Sequence, residues 1–325
     1  GRRTAPVCGR IERLAGGGEV MMASQWAKVV GAAVAVVSLS GCSLISNKAT
    51  KMVADTLSSG GTSMTSDNDP ELVRDAVPFA LKTYESLLES LPKYVPLLRA
   101  TCSGFTSYAY GYLATDADQV RYTDREAAKA IDERTLKMYL RAHGYCARAM
   151  EERFKGVTEA LLREPATALT KAKKEDVELI YWSAASWGLA MALSPDTLAI
   201  DFPAVRAMAE RGLALDPGWW NGALHELMIT LNSQELLGGS QEEARRHFGR
   251  AVELQKGLSP GPYISLAMGV SVARQDRAEF EKLMNMALAV DPDANPSERL
   301  TTMLLQRRAK ALLAQVDELF LKDVE

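Results

Sequence analysis

Ala207-Met208-Ala209-Glu210-Arg211-Gly212-Leu213-Ala214-Leu215-Asp216-Pro217 decides the fold when set beside Leu283-Met284-Asn285-Met286-Ala287-Leu288-Ala289-Val290-Asp291-Pro292. Each is a short helical run with a small residue at its centre, closed by Asp-Pro. Proline cannot continue the helix, so each run stops there. Ala244-Arg245-Arg246-His247-Phe248-Gly249-Arg250-Ala251-Val252-Glu253-Leu254 lies between them. Aligning Gly212, Ala251 and Ala287 gives offsets of 39 and 36 residues. A period in that range means a supersecondary unit repeated along the chain, and here the unit is a helix pair.

The period approaches the roughly 34 residues of tetratricopeptide repeats. Ala244, Phe248 and Ala251 form a small–aromatic–small stripe at spacings of four and three. Small residues in such a stripe let paired helices approach closely. Phe280 stands where the third unit should have a small residue, so the repeats are degenerate.

The helical period extends outward from this centre. Val77, Ala80, Leu81, Tyr84, Leu87, Leu88 and Leu91 share one helical face before Pro92 and Pro96 break the chain. Further helices are expected at 97–113, 124–155, 174–193, 203–215, 218–232, 241–256, 262–274, 277–290 and 296–320. No strand signal competes. The expected fold class is all-α, a single domain of helical hairpin repeats forming a degenerate tetratricopeptide-like superhelix over residues 71–325.

The N-terminal part reads differently. Residues 1–20 are rich in Arg and Gly, have no periodic pattern, and precede Met21-Met22. They read as a wrongly assigned start, outside the native protein. Lys28 and the apolar run Val29–Leu39 then make a signal peptide over 21–41, too short for the ~20 residues of a membrane span. It ends in Leu39-Ser40-Gly41-Cys42, which looks like a bacterial lipobox, so Cys42 is the expected lipidation site. Ser43 follows it, which favours sorting to the outer membrane over the inner, facing the periplasm. Residues 42–70, rich in Ser, Thr, Asn and Gly, read as a flexible tether, with a short weak helix near Met52–Leu57.

Removing residues 1–41 takes five of the 38 Lys and Arg but only two of the 41 Asp and Glu, so the mature chain is more acidic than the formal −3 of the whole sequence. That balance argues against a nucleic-acid partner, whose phosphates need clustered cations. Cys102 and Cys146 fit no metal spacing. The expected compartment permits a disulfide, but their plain reading is two small buried residues.

Enzyme chemistry finds little support. His225-Glu226 begins like a zinc-peptidase motif, but Ile229 stands where the second histidine must be. Ser90-Leu91-Pro92-Lys93 and Ser66-Asp67-Asn68 imitate β-lactamase motifs in the wrong order, without Lys-Thr-Gly. No metal, cofactor or catalytic residue is expected.

Aromatic residues are more informative. Tyr94, Phe105, Tyr108, Tyr110 and Tyr112 cluster, as do Tyr181, Trp182 and Trp187, and then Trp219-Trp220-Asn221. Such side chains pair apolar area with a polar handle and suit pockets and interfaces. The candidate ligand or partner site is Tyr108, Tyr181, Trp182, Trp187, Trp219, Trp220, Asn221, His225 and Glu226. Read as one helix, 218–232 would point Trp219 and Trp220 about 100° apart. It would also run Asn221/His225 and Gly222/Glu226 as adjacent rows. Helix packing with internal hydrogen bonds is the competing account of these residues, and for His225 the favoured one.

Asp67-Asn68-Asp69-Pro70-Glu71-Leu72-Val73-Arg74-Asp75-Ala76-Val77-Pro78-Phe79-Ala80-Leu81-Lys82-Thr83-Tyr84 resembles the opening of the TatT family, lipoprotein T-components of tripartite ATP-independent periplasmic (TRAP) transporters. Ser103-Gly104-Phe105-Thr106-Ser107-Tyr108-Ala109, Trp182 to Gly188, Leu215-Asp216-Pro217 with Gly222-Ala223-Leu224-His225-Glu226, and Ala273 to Phe280 carry the resemblance onward. It covers about residues 42–322 and departs at Pro92-Lys93-Tyr94-Val95-Pro96, where the family has a more polar turn. The resemblance implies cryptic tetratricopeptide-like repeats and a role in ligand uptake beside a solute-binding P-component, as a homo-oligomer. A scaffold for envelope assembly is the alternative.

Overall fold

The computed structural model describes residues 50–56 and 62–321. The signal segment and Cys42 lie outside the described residues. Two units are distinguished, 1–52 and 53–325. Of the first, only residues 50–52 are described, and they are helical.

The second unit is built from helices, with no strand among its described residues. Its principal helices are α1 (Pro70–Ser90), α2 (Val95–Tyr108), α3 (Arg125–Arg153), α4 (Val177–Leu193), α5 (Phe202–Leu215), α6 (Ala223–Asn232), α7 (Gln241–Leu254), α8 (Gly261–Leu266), α9 (Arg277–Leu288) and α10 (Arg299–Leu313). Starts are set by side-chain caps: Asp69 accepts from the Glu71 and Leu72 amides at 3.1 Å, Asp124 from Ala127, and Asp276 from Glu279. Each cap satisfies amide groups that a helix start leaves without a partner.

The three aligned helices are α5, α7 and α9. Each is followed by a partner, and consecutive helices pack in chain order. Ala244, Ala251 and Ala287 are fully buried. At Gly212 an added Cβ would sit 3.0 Å from a Leu224 methyl, so α5 and α6 meet at glycine distance. Phe280, the departure from the small-residue rule, is fully buried edge-on to Phe320. The repeat there accommodates a ring instead of a second backbone.

Several boundaries differ from the sequence expectation. The 97–113 and 262–274 helices each pass through a wide π turn, at Ala109–Leu113 and Ala267–Ser271. The first then continues as Ala114–Val120. Helix 296–320 divides into α10 and Val316–Leu319. The span expected to be a free tether contains helical residues 53–56, with Ala54 fully buried, and the helix Thr62–Thr65 against α10. These residues belong to the folded unit.

Cys102 on α2 and Cys146 on α3 form a disulfide, Cα to Cα 5.5 Å. This corrects the reading as two separate buried thiols. Burial was right for both. The helix pairing that brings them together is long-range and leaves no local signal.

The helical array closes on itself. α10 returns to pack on α1, on Ala114–Val120 and on Thr62–Thr65. Arg308 donates to Asp118 at 2.8 Å, Arg307 pairs with Glu71 at 2.6 Å, and Gln315 donates to the Asp118 carbonyl at 2.7 Å. Asp118 is buried, and burying a charge is tolerated because it is paired. Among the described residues no helix is long and apolar enough to cross a membrane.

Candidate functional site

Ring closure leaves a cavity of about 1330 Å³ bounded by α1, α2, α4, α5, α6, α8 and α10. A shallower pocket of about 510 Å³ lies over Arg121 and Asp132, which are already paired at 2.7 Å. The larger cavity holds the aromatic side chains and is the candidate site.

Its most structured wall lies between α4 and the turn before α6. Tyr181 and Trp182 project from consecutive positions of α4. Trp219 and Trp220 lie on a single turn, Trp219–Gly222, and not on a helix. Trp220 and Asn221 have φ of 41° and 51°, and Gly222 has φ of 88°. Non-glycine residues seldom adopt these values. Leu254 closes in on Gly222, where an added Cβ would lie 2.9 Å from its methyl. The helical reading of 218–232 is corrected accordingly: α6 begins at Ala223, and Asn221 shares no helical row with His225. The left-handed turn folds the two indoles back onto α4.

The four rings form one cluster. Tyr181 is 4.9 Å from Trp219 and 6.0 Å from Trp220, and Trp182 is 5.6 Å from Trp220, centroid to centroid. The Trp220 indole donates to Glu298 Oε1 at 3.0 Å, tying the cluster to the approach of α10. Edge-to-face and tilted pairs at these separations are favourable beyond their buried area, by ~1 kcal/mol each.

Glu226, one turn into α6, faces the same cavity. Its hydrogen-bond partner is Gln255, whose amide donates at 3.4 Å. Burial pushes its carboxyl up to about 7, opposed by that bond. Burial likewise raises the Tyr181 and Tyr110 hydroxyls, and the charge of Glu226 raises both further. Gly261 at the start of α8 makes room for the carboxylate: an added Cβ would meet Glu226 Oε1 at 2.3 Å.

Tyr108, Tyr181, Trp182, Trp219, Trp220, Asn221 and Glu226 thus meet on one cavity wall system. Trp187 and His225 do not. Trp187 turns toward α3 and is buried on the His143 ring, 4.5 Å away. His225 lies between α6 and α7, its Nδ1 2.8 Å from Nδ1 of His247. Burial holds it down to about 4, with the His247 and arginine charges acting in the same direction. It is a packing residue between α6 and α7 and is not part of the cavity lining.

Sequence reasoning missed Gln255, Glu298 and Thr230, polar residues on separate elements that only the fold assembles. It also missed the apolar walls from α1 and α10, whose stripes read like any core. Tyr110 and Tyr112 belonged to a recognised aromatic cluster, and both line the cavity. Among the described residues no group of His, Cys, Asp and Glu could hold a metal ion.

A family model described as TRAP transporter T-component matches residues 66–320. An uncharacterized protein of Treponema pallidum (strain Nichols) is 28% identical over 265 residues, spanning 79% of this chain and 82% of that protein. The family match begins near the cap of α1 and ends after α10, so it takes in the cavity lining from α1 to α10, while Thr56, Ser63, Met64 and Thr65 of the lining precede it.

Proposed function

The chain belongs to the TRAP transporter T-component family, and from that premise we propose that it is a lipid-anchored periplasmic protein that presents a ligand cavity beside a solute-binding P-component. The observation that carries this reading is the closed helical ring with its aromatic-walled cavity of about 1330 Å³. That volume exceeds the usual range for a drug-sized ligand, roughly 300–1,000 Å³. Membership of a transporter-component family supports binding as the role. Anchoring at Cys42 would confine the cavity to a membrane surface, since acyl chains contribute about 0.8 kcal/mol per buried CH₂ and more than one chain holds stably. Sorting to the outer membrane and self-association complete the proposal.

The test is cross-linking of the tagged chain in its own envelope, followed by identification of the captured protein. A solute-binding receptor supports the transport role. Capture of envelope-assembly machinery in its place supports a scaffold. Anchoring is tested by fatty-acid labelling of cells: Cys42→Ser should abolish the label and leave an uncut precursor. Equal label in mutant and parent ends the lipoprotein reading. Fractionation with the inner membrane ends the outer-membrane part.

A further inference from the structure

We propose that the cavity takes an amphipathic cation, with its ammonium head against Glu226 within the Tyr181–Trp182–Trp219–Trp220 cluster and its apolar tail along α1 and α10. This rests on the reading that the cavity binds a small ligand, and names the chemical class.

Charge is the first argument. Among the described residues three carboxylates line the cavity, from Glu178, Glu226 and Glu298, and no Lys, Arg or His does. Two of the three are already engaged. Glu178 pairs with Arg99 at 3.0 Å, and Glu298 accepts the Trp220 indole N–H. Glu226 has only the neutral Gln255 amide. A carboxylate withdrawn from water normally has a cationic partner, and among the described residues Glu226 has none. An anionic ligand would find no counter-charge on these walls and would face Glu226 directly.

The aromatic cluster is the second argument. Ring faces carry the negative end of a quadrupole and attract ammonium groups within about 6 Å of the centroid, most strongly when water is excluded. Four rings with mutual separations of 4.9 to 6.0 Å line the same cavity as Glu226, whose charge acts on the Tyr181 hydroxyl. The left-handed Trp220-Asn221 turn brings the indoles there, and such strained backbone persists only where its surroundings hold it, here the ring contacts and the Trp220–Glu298 bond.

Unmet hydrogen bonding is the third. The Gln255 side-chain carbonyl oxygen, beside Glu226, is buried and accepts no hydrogen bond. A carboxylate and a free carbonyl side by side call for a donor. On other elements, α1, α4, α5 and α10, the lining includes the apolar Val73, Leu81, Met191, Phe202, Leu300 and Leu304, which offer surface for an apolar tail.

The test uses three probes of one tail length: hexylammonium, whose head carries both the charge and N–H donors, hexanol and hexanoate. Each is titrated calorimetrically into the full chain in lipid nanodiscs, with empty nanodiscs as blank. The cation should bind about tenfold or more tighter than hexanol, the factor expected for a desolvated cation over aromatic faces. Hexanoate should bind weakest. Glu226→Gln keeps the side-chain shape and removes a buried charge, so it should fold, as a circular-dichroism melt will check. It should lower the cation-to-hexanol affinity ratio at least several-fold, as should Trp220→Leu at the exposed edge of the cluster. Equal affinity for cation and hexanol, tighter binding of hexanoate, or a ratio unmoved by both substitutions would overturn the cation assignment while leaving a ligand cavity. Failure of all three probes to bind would overturn both.

Discussion

Opening the Cys102–Cys146 bond should destabilise the fold by an amount set by the loop it closes. The bridged residues are 44 apart in sequence. The chain-entropy relation for a loop of that length gives about 4 kcal/mol at 25 °C. For a domain of this size each kcal/mol moves the melting midpoint by roughly 2 °C or more, so a fall of about 8 °C is expected. Both sulfurs are fully buried between α2 and α3, so reduction should require partial opening and be slow in native buffer. The bridge also underlies the site. Its Cys102 sulfur lies 3.8 Å from the Trp182 carbonyl and from Ser186 Oγ. These are packing contacts, because a bridged sulfur carries no proton. The assay is guanidinium unfolding of the oxidised protein, of the reduced protein and of Cys102→Ala/Cys146→Ala. The latter two should share a lowered midpoint. Identical midpoints for all three would refute the loop-entropy argument, and a native protein that yields two reactive thiols from these positions would refute the bond.

Ala251→Trp should cost at least about 1–3 kcal/mol by overpacking, since Ala251 is fully buried. Lys256→Ala, at an exposed position just past α7, should change stability by under about 0.5 kcal/mol, and comparable melting shifts would mean the repeat alignment is wrong. Gly261→Ala should displace the Glu226 carboxylate and so reduce hexylammonium affinity; unchanged calorimetry would show that the carboxylate plays no part. Burial holds His143 and His225 down to about 4. The unfolded chain therefore binds more protons between pH 6.5 and 4, and stability should fall on acidification through that window. Glu226, pushed up to about 7, acts in the opposite sense below pH 7 and makes the net slope shallower. His143→Phe, which keeps a ring against Trp187, should flatten the acid limb, and an unaltered slope in urea titrations would contradict this.

Periodicity carried most of the architecture because it reports burial along one helix at a time. The stripe from Val77 to Leu91 and the small residues at 244, 251 and 287 each describe a face, and those faces were found packed. What periodicity cannot carry is a departure that preserves composition. Trp219-Trp220-Asn221 contains no residue forbidden in a helix, so the left-handed turn showed only through its flanking Gly218 and Gly222. Cavity walls pose a related difficulty. Leu304 and Val73 sit at helical spacing exactly as core residues would, and nothing local says that the space opposite them is empty. The aromatic residues stood out because so many polar-tipped rings are wasteful in a sealed core. Trp187 was grouped with them by sequence proximity, but five positions along α4 from Trp182 it points to another face.

The return of α10 to the first helices changes how this repeat protein must come apart. A linear solenoid has two free ends and loses its terminal units first. Here Arg308 and Asp118 are 190 residues apart, and the contact between them leaves neither end free to fray. Bringing such distant segments together costs about 5 kcal/mol of chain entropy, which no local helix pair can recover until the seam is made. Assembly should therefore pass through an open arc of preformed hairpins and finish in one late, slow zipping step. Once sealed, the molecule should open as a whole: amide exchange in α10 should keep pace with exchange in α3, where a linear array would show its last helix exchanging far ahead of its middle.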